Sequence, residues 1–249
     1  MALTVVITGA NRGIGLSLCK HYKAQGHTVY GVCRKSNSDL EYVADHVIDG
    51  IDISNEQDCH KLFEKLANTK IDLLINNAGI LASETLGNLD FGTIEKQFQV
   101  NTVGTLRISA GLINNLTENA KIAIITSRMG SISDNTSGRS YGYRMSKAAL
   151  NAAGKSLAID LKPDGIYVGI YHPGWVTTDM TSGTGDISPE QSAQRLAKLI
   201  EKLDQSNTGT FWHSNGEILP WQKISVIRRR SRDLGEQPAV NFNHLTSYE

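Results

Sequence analysis

Short runs of β-branched and apolar residues alternate along the chain with longer stretches in which apolar positions recur every three to four residues. The runs at 3–8, 28–33, 47–53, 71–76, 122–126, 166–171 and 210–213 predict strands. Helical spacing predicts helices from the glycine-rich turn after Thr8 to about Gln25, then over 57–66, 93–116 and 143–161. Pro163 and Gly165 stop the last of these. Ser188-Pro189-Glu190-Gln191 opens another helix, with an N-cap serine, proline at the first helical position and a capping-box glutamine. Alternation of this kind predicts an α/β protein built on a single doubly wound parallel sheet with helices on both faces. No internal repeat or linker interrupts the series over 1–221. From 222 to 249 the periodicity fades around the basic cluster Arg228-Arg229-Arg230-Ser231-Arg232. That extension reads as a partly mobile tail or, alternatively, as an anion-binding or subunit-contacting arm.

Composition changes this picture little. The 25 basic and 25 acidic side chains leave no net field, so charge implies neither nucleic acid nor a membrane as partner. No apolar run reaches membrane-spanning length and no charged leader precedes the first strand, which makes a soluble cytoplasmic protein the expectation. Cys19, Cys33 and Cys59 are far apart and show no C-x-x-C spacing. They read as small buried hydrophobes rather than a redox or metal set.

Candidate chemistry gathers at two places. Gly9, Gly13 and Gly15 lie where the first strand meets the first helix, with Asn11, Arg12 and Ile14 between them. Glycines there let a dinucleotide pyrophosphate approach backbone amides at a helix N-terminus; a tight turn needing glycine for shape is the plainer reading. The spacing is not G-x-G-x-x-G. The second strand ends in Cys33-Arg34-Lys35, with no carboxylate for a ribose 2′-hydroxyl. With Arg12 able to approach the same corner, the cations suit a 2′-phosphate and hence NADP(H), unless they are solvated surface charges. The second place is Ser127 to Lys147. Tyr143 and Lys147 are one helical turn apart, so the ammonium is expected to lower the tyrosine from its usual value near ~10. Tyr143 is then a candidate general acid and Ser127 a hydroxyl to hold a polarised oxygen. About half of one such Tyr–Lys pair is expected by chance in a chain of this composition, so its surroundings decide.

Those surroundings are distinctive. Thr8-Gly9-Ala10-Asn11-Arg12-Gly13-Ile14-Gly15, Asn76-Asn77-Ala78-Gly79, Asn101, Ser127, Tyr143-x-x-x-Lys147 and Pro173-Gly174 resemble, in order and spacing, the short-chain dehydrogenase/reductase family. Within it, Ser127-Arg128-Met129-Gly130-Ser131, Tyr141-Gly142-Tyr143-Arg144 and Pro173-Gly174-Trp175-Val176 resemble the C-factor and sniffer-like carbonyl reductases. The resemblance covers about 1–221 and implies a Rossmann-type fold. It implies that Tyr143 protonates the carbonyl oxygen, Lys147 lowers its pKa and binds the nicotinamide ribose, and Ser127 hydrogen-bonds the substrate. Asn101 is implied to help hold a water chain that reprotonates Tyr143. Asn77, Ala78 and Gly79 are implied to line the cofactor, Asp52 and Ile53 to lie near the adenine, and Pro173, Gly174, Val176 and Thr178 to meet the nicotinamide. Asp52 and Thr178 also read as ordinary loop residues.

The gap from Ser127 to Tyr143 is a few residues longer than the family's, so the extra residues, within 133–140, must loop out; otherwise Ser131 takes the role of Ser127. Tyr141 has Met145, not a lysine, four residues on, and His172 follows a buried strand with no ligand-spaced partner, so neither is expected to act in catalysis, and no metal site is evident. The function expected is NADP(H)-dependent hydride transfer to or from a carbonyl/alcohol pair. The competing expectation is a dinucleotide-binding signalling or interaction protein of the C-factor type with little turnover. A loop at 177–188 without basic residues suggests an uncharged, moderately hydrophobic ketone, aldehyde or quinone. Ala148, Ala149, Ala152, Ala153 and Gly154 permit close packing against either the sheet or a second copy, and the family resemblance tilts the expectation towards a homodimer or homotetramer.

Overall fold

The computed structural model describes residues 2–221; the extension at 222–249 lies outside the described residues. Its strands are β1 (Thr4–Thr8), β2 (Thr28–Val32), β3 (His46–Ile48), β4 (Ile71–Asn76), β5 (Leu116–Ile125), β6 (Tyr167–His172) and β7 (Phe211–His213). They form one seven-stranded sheet in the order β3-β2-β1-β4-β5-β6-β7. Every neighbouring pair is parallel. The helices are α1 (Gly13–Ala24), α2 (Ser38–Val43), α3 (Glu56–Leu66), α4 (Phe91–Phe98), α5 (Thr105–Gly111), α6 (Tyr141–Leu161) and α7 (Pro189–Glu201).

Parallel strands covered on both faces must be apolar on both, and β1 shows it. Val6 joins the core under α3, α5 and α6, which contribute Leu62, Ile108 and Leu150. Val5 and Ile7 join the opposite core under α1, α2 and α7, with Leu18, Leu40 and Leu196. Each such side chain buried from water contributes on the order of 2 kcal/mol. The strand order reverses direction between β1 and β4, which opens a crevice outside their carboxyl ends. Among the described residues no helix is long and apolar enough to cross a membrane.

Four expectations about the elements need correction. The third strand ends at Ile48, because Gly50 turns the chain through a left-handed conformation (φ +73°). Ile51 and Ile53 stay buried as loop residues. A short helix, α2, precedes that strand, capped where the Asn37 side chain accepts from the Leu40 amide at 3.0 Å. The helix expected over 93–116 is broken into α4, a π-helical stretch at Gln99–Gly104, and α5. It then stops where Asn115 donates to the carbonyls of Leu66 (2.7 Å) and Thr69 (3.0 Å), and β5 begins at Leu116, six residues earlier than expected. The capping box on α7 is as expected, with Gln191 N–H donating to Ser188 Oγ (3.2 Å) and Ser188 N–H to Gln191 Oε1 (3.0 Å). On α6, Gly154 packs inward: a Cβ there would come within 3.0 Å of Ile170. Ala152, in contrast, is exposed, so the small residues do not act as one face.

Candidate active site

The floor of the site is the junction of β1 with β4. Asn77 Nδ2 donates to the carbonyls of Thr8 (3.0 Å) and Gly9 (3.1 Å), while Thr8 Oγ1 accepts from the amides of Asn77 and Ala78, both at 3.1 Å. Gly9 sits at φ +67°, and a Cβ on it would meet Ala78 Cα at 2.8 Å. Gly15 is as constrained, since a Cβ there would lie 2.2 Å from the Gly9 carbonyl oxygen. The first helix starts after Arg12 with no side chain capping its free amides. A helix start of this kind offers N–H groups and a positive dipole end to an anion.

Above this floor lies a cavity of about 890 Å³, within the size range of roughly 300–1,000 Å³ for small-molecule sites. Of the expected cofactor residues, Gly9, Asn11, Arg12, Gly13, Ile14, Arg34, Asp52, Ile53, Asn77, Ala78, Gly79, Pro173 and Thr178 line it, together with Tyr143 and Lys147. Gly15, Gly174 and Val176 do not line it and serve the shape of its wall instead. Val176 is 3% exposed, and its carbonyl accepts from Thr181 Oγ1 at 2.7 Å. Asn37, Val100 and Ile125 line the cavity without having been singled out in the sequence. Asn37 had a legible sign, as a cap residue before a short helix. Its Nδ2 donates to the Asn11 carbonyl (2.8 Å) and Asn11 Nδ2 to the Lys35 carbonyl (2.9 Å). These bonds tie the end of β2 to the glycine turn.

At one wall Tyr143 and Lys147 stand one turn apart on α6, 9% and 4% exposed. Lys147 Nζ lies 5.7 Å from the centre of the Tyr143 ring and donates to the Ile125 carbonyl at 3.1 Å. The expected lowering of the tyrosine pKa by the ammonium is not found. Burial pushes Tyr143 up to about 12, against a smaller downward pull from the neighbouring Ser127 hydroxyl. Burial also pushes Lys147 down to about 8. Desolvation drives both groups towards neutrality. Ser127 is the serine beside Tyr143. Ser131 is turned away, its hydroxyl donating to the Pro220 carbonyl at 2.6 Å. The added residues between them loop out, ending in left-handed Arg139 (φ +58°) and Ser140 (φ +49°).

Asn101 occupies the π-helical stretch and is fully buried. Its Oδ1 accepts from the Ile80 amide (2.8 Å), and its Nδ2 donates to the Ile80 carbonyl (2.9 Å) and Ser146 Oγ (3.0 Å). The wide turn points this side chain at the segment after β4, a common use of π-helical turns at functional sites. Asn101 therefore stands behind the cavity wall, fixing Gly79 and Ile80.

Arg12 departs from expectation. Its Nη1 reaches Asp179 Oδ2 at 3.2 Å rather than the end of β2, which leaves Arg34 and Lys35 as the cations there. Both members of this ion pair are mostly exposed, and such pairs contribute roughly 0–1 kcal/mol, too little to hold Arg12 against a phosphate. His172 is buried and pushed down to about 3 by desolvation, helped by His213 and Arg128. It is neutral near pH 7, consistent with a structural residue.

The sequence matches the family model described as short chain dehydrogenase over residues 3–188. The chain belongs to the short-chain dehydrogenase family. It is 38% identical to 1-hydroxy-2-glutathionyl-2-methyl-3-butene dehydrogenase of Rhodococcus sp. (strain AD45), over 88% of this chain and 99% of that protein. It is also 38% identical to the C-signal protein of Myxococcus xanthus, over 61% of this chain and 93% of the other. Among solved structures, the carbonyl reductase Sniffer of D. melanogaster superposes with a TM-score of 0.80 at 29% identity, covering 89% of this chain and 100% of Sniffer. The NADPH-bound carbonyl reductase from chicken fatty liver gives 0.79 at 27% identity, covering 88% and 99%.

Proposed function

We propose that this chain catalyses reversible hydride transfer between NADP(H) and a carbonyl/alcohol pair. The observation that carries the reading is the Tyr143 phenol, beside Ser127 and one turn from Lys147, on the wall of the cavity above the glycine turn. The cradle fits a dinucleotide. Gly9 and Gly15 leave no room for a side chain, the start of α1 is uncapped, and Arg34 with Lys35 line the β2 corner. The NADPH bound to the chicken carbonyl reductase supports the same choice.

In this reading the bound cofactor supplies the hydride. Tyr143 donates its proton to the carbonyl oxygen on reduction, and Ser127 donates a second hydrogen bond to it as charge develops. Lys147 serves the ribose and, protonated below about pH 8, stabilises the phenolate left behind. Asn101 acts by holding Gly79 and Ile80, since both ends of its amide are already engaged. Arg34, Lys35 and an Arg12 drawn away from Asp179 receive the 2′-phosphate. Asp52 and Ile53 flank the adenine, and Pro173 with Thr178 meets the carboxamide.

A charge-assisted hydrogen bond contributes about 1.5–3 kcal/mol, so Arg34→Glu is expected to shift the ratio of kcat/KM for NADPH over NADH tenfold or more towards NADH. Equal kcat/KM values for the two cofactors in the unaltered protein would refute the NADP(H) assignment. On the substrate side, the loop at 177–188 carries Asp179 and Asp186 and no basic residue, with Met180 exposed beside it. Neutral carbonyls are therefore expected to outperform carboxylated analogues of matched size, and kinetics on such pairs overturns this if the charged member is preferred.

Similarity to the C-signal protein motivates a signalling role as the second reading. Binding of NADPH without turnover across a broad panel of carbonyls would favour it.

A further inference from the structure

Glu84 is 3% exposed, on the connection between β4 and α4, and among the described residues no cationic side chain pairs with it. Leaving a buried carboxylate without partners costs several kcal/mol, so what it binds is informative. Its Oε1 accepts from Gln97 Nε2 of α4 at 2.6 Å, and its Oε2 accepts from the backbone amide of Gly142 at 3.2 Å. Its own carbonyl accepts from the Ser140 amide at 2.8 Å. Gly142 is the second residue of α6 and the immediate neighbour of Tyr143.

The start of α6 needs such a partner. Ser140, at the N-cap position, is left-handed (φ +49°, ψ +48°), and its side chain makes no capping bond to the helix. Its hydroxyl instead lies 3.2 Å from that of Ser83. The first amides of a helix otherwise go unsatisfied. Gln97 completes the joint, because its Oε1 accepts from the Ala82 amide at 2.9 Å. The helices touch here: a Cβ on Gly142 would lie 2.5 Å from Gln97 Nε2 and 2.9 Å from Ile94 Cα.

We propose that Glu84 is a positioning residue for Tyr143: its carboxylate replaces the missing N-cap of α6 and fixes that helix against α4. The inference rests on the reading of Tyr143 as proton donor. It adds an electrostatic consequence. The positive end of the α6 dipole favours a phenolate one residue beyond Gly142, and the carboxylate offsets it. The groups beside the phenol itself are Lys147 from its own helix and Ser127 after β5, while at the start of α6 the side chain that α4 presents to Gly142 is the neutral Gln97.

The experiment compares Glu84→Gln, Glu84→Asp and Tyr143→Phe in the full-length chain, with sites counted by NADPH titration. Glu84→Gln presents a donor where Gly142 or Gln97 also donates. It is expected to keep the NADPH Kd within about threefold and to lose about tenfold or more in kcat per site, as a displaced catalytic group does. Its inflection for alcohol oxidation against pH is expected about half a unit lower, because the phenolate loses an opposing charge. Glu84→Asp, one methylene shorter with the charge kept, is expected to lose kcat without moving the inflection. It decides the matter alone should the glutamine variant not fold. Unaltered kcat per site in the folded Glu84 variants, with Tyr143→Phe inactive, overturns this proposal and leaves the proton-donor reading standing. An active Tyr143→Phe variant overturns both.

Discussion

Tyr143→Phe is expected to reduce kcat for carbonyl reduction by about two to four orders of magnitude, the range that a positioned general acid contributes. NADPH affinity is expected to stay within a few-fold, because the glycine turn, Asn77–Gly79 and the β2 cations are untouched. Folding is expected to survive as well. The phenylalanine keeps the ring in its buried site, and Ser127 Oγ retains the Met129 amide as a donor at 3.1 Å. Loss of the hydroxyl's polar interactions costs about 1 kcal/mol. The pH dependence follows from the same burial. With the phenol pushed up to about 12, Tyr143 keeps its proton through the neutral range, so reduction has its acid available there. Alcohol oxidation needs the phenolate and is expected to rise with pH towards that value. Turnover in the phenylalanine variant at more than a tenth of the original rate would remove Tyr143 from the mechanism.

What could be read from the sequence is local chemistry. The Ser188–Gln191 box needs four neighbouring residues, and the strands announce themselves through continuous apolar runs, so both are legible. The glycine turn and the Tyr143–Lys147 spacing are legible for the same reason. The remainder depends on distant partners. Nothing near Asn101 signals the π-helical turn; its side chain is aimed by Ile80, which arrives from the end of β4. Arg12 is drawn off by Asp179, 167 residues away. Spacing placed Lys147 beside Tyr143 correctly, but the direction of the tyrosine shift is decided by how little water reaches the pair. Glu84 carries no local signal in the sequence, and only the fold buries it against Gly142.

Gly15→Ala separates shape from propensity. Gly15 lies inside α1 at an ordinary helical φ, so helix propensity alone favours alanine by about 1 kcal/mol. The packing opposes it. The added methyl would stand 2.2 Å from the Gly9 carbonyl oxygen and 2.6 Å from Asn77 Nδ2. The first is backbone at the end of β1, and the second is the amide that locks β1 to β4, so neither yields without moving the turn. Overpacking of this kind costs about 1–3 kcal/mol or more, which exceeds the propensity gain. A net loss of about 1 kcal/mol lowers Tm by roughly 2–4 °C in a chain of this size. The larger effect falls on function, since displacing Gly9 by even about 1 Å moves the floor that orients the cofactor and costs on the order of a hundredfold in kcat/KM. Gly92→Ala in the first turn of α4 is the control, because its Cβ would meet only Asp90 Oδ1, at an ordinary 3.4 Å. It is expected to leave NADPH binding and Tm unchanged or slightly raised. If Gly15→Ala instead raises Tm and leaves KM for NADPH unchanged, the close approach of α1 to the β1 turn is not what forms the cradle.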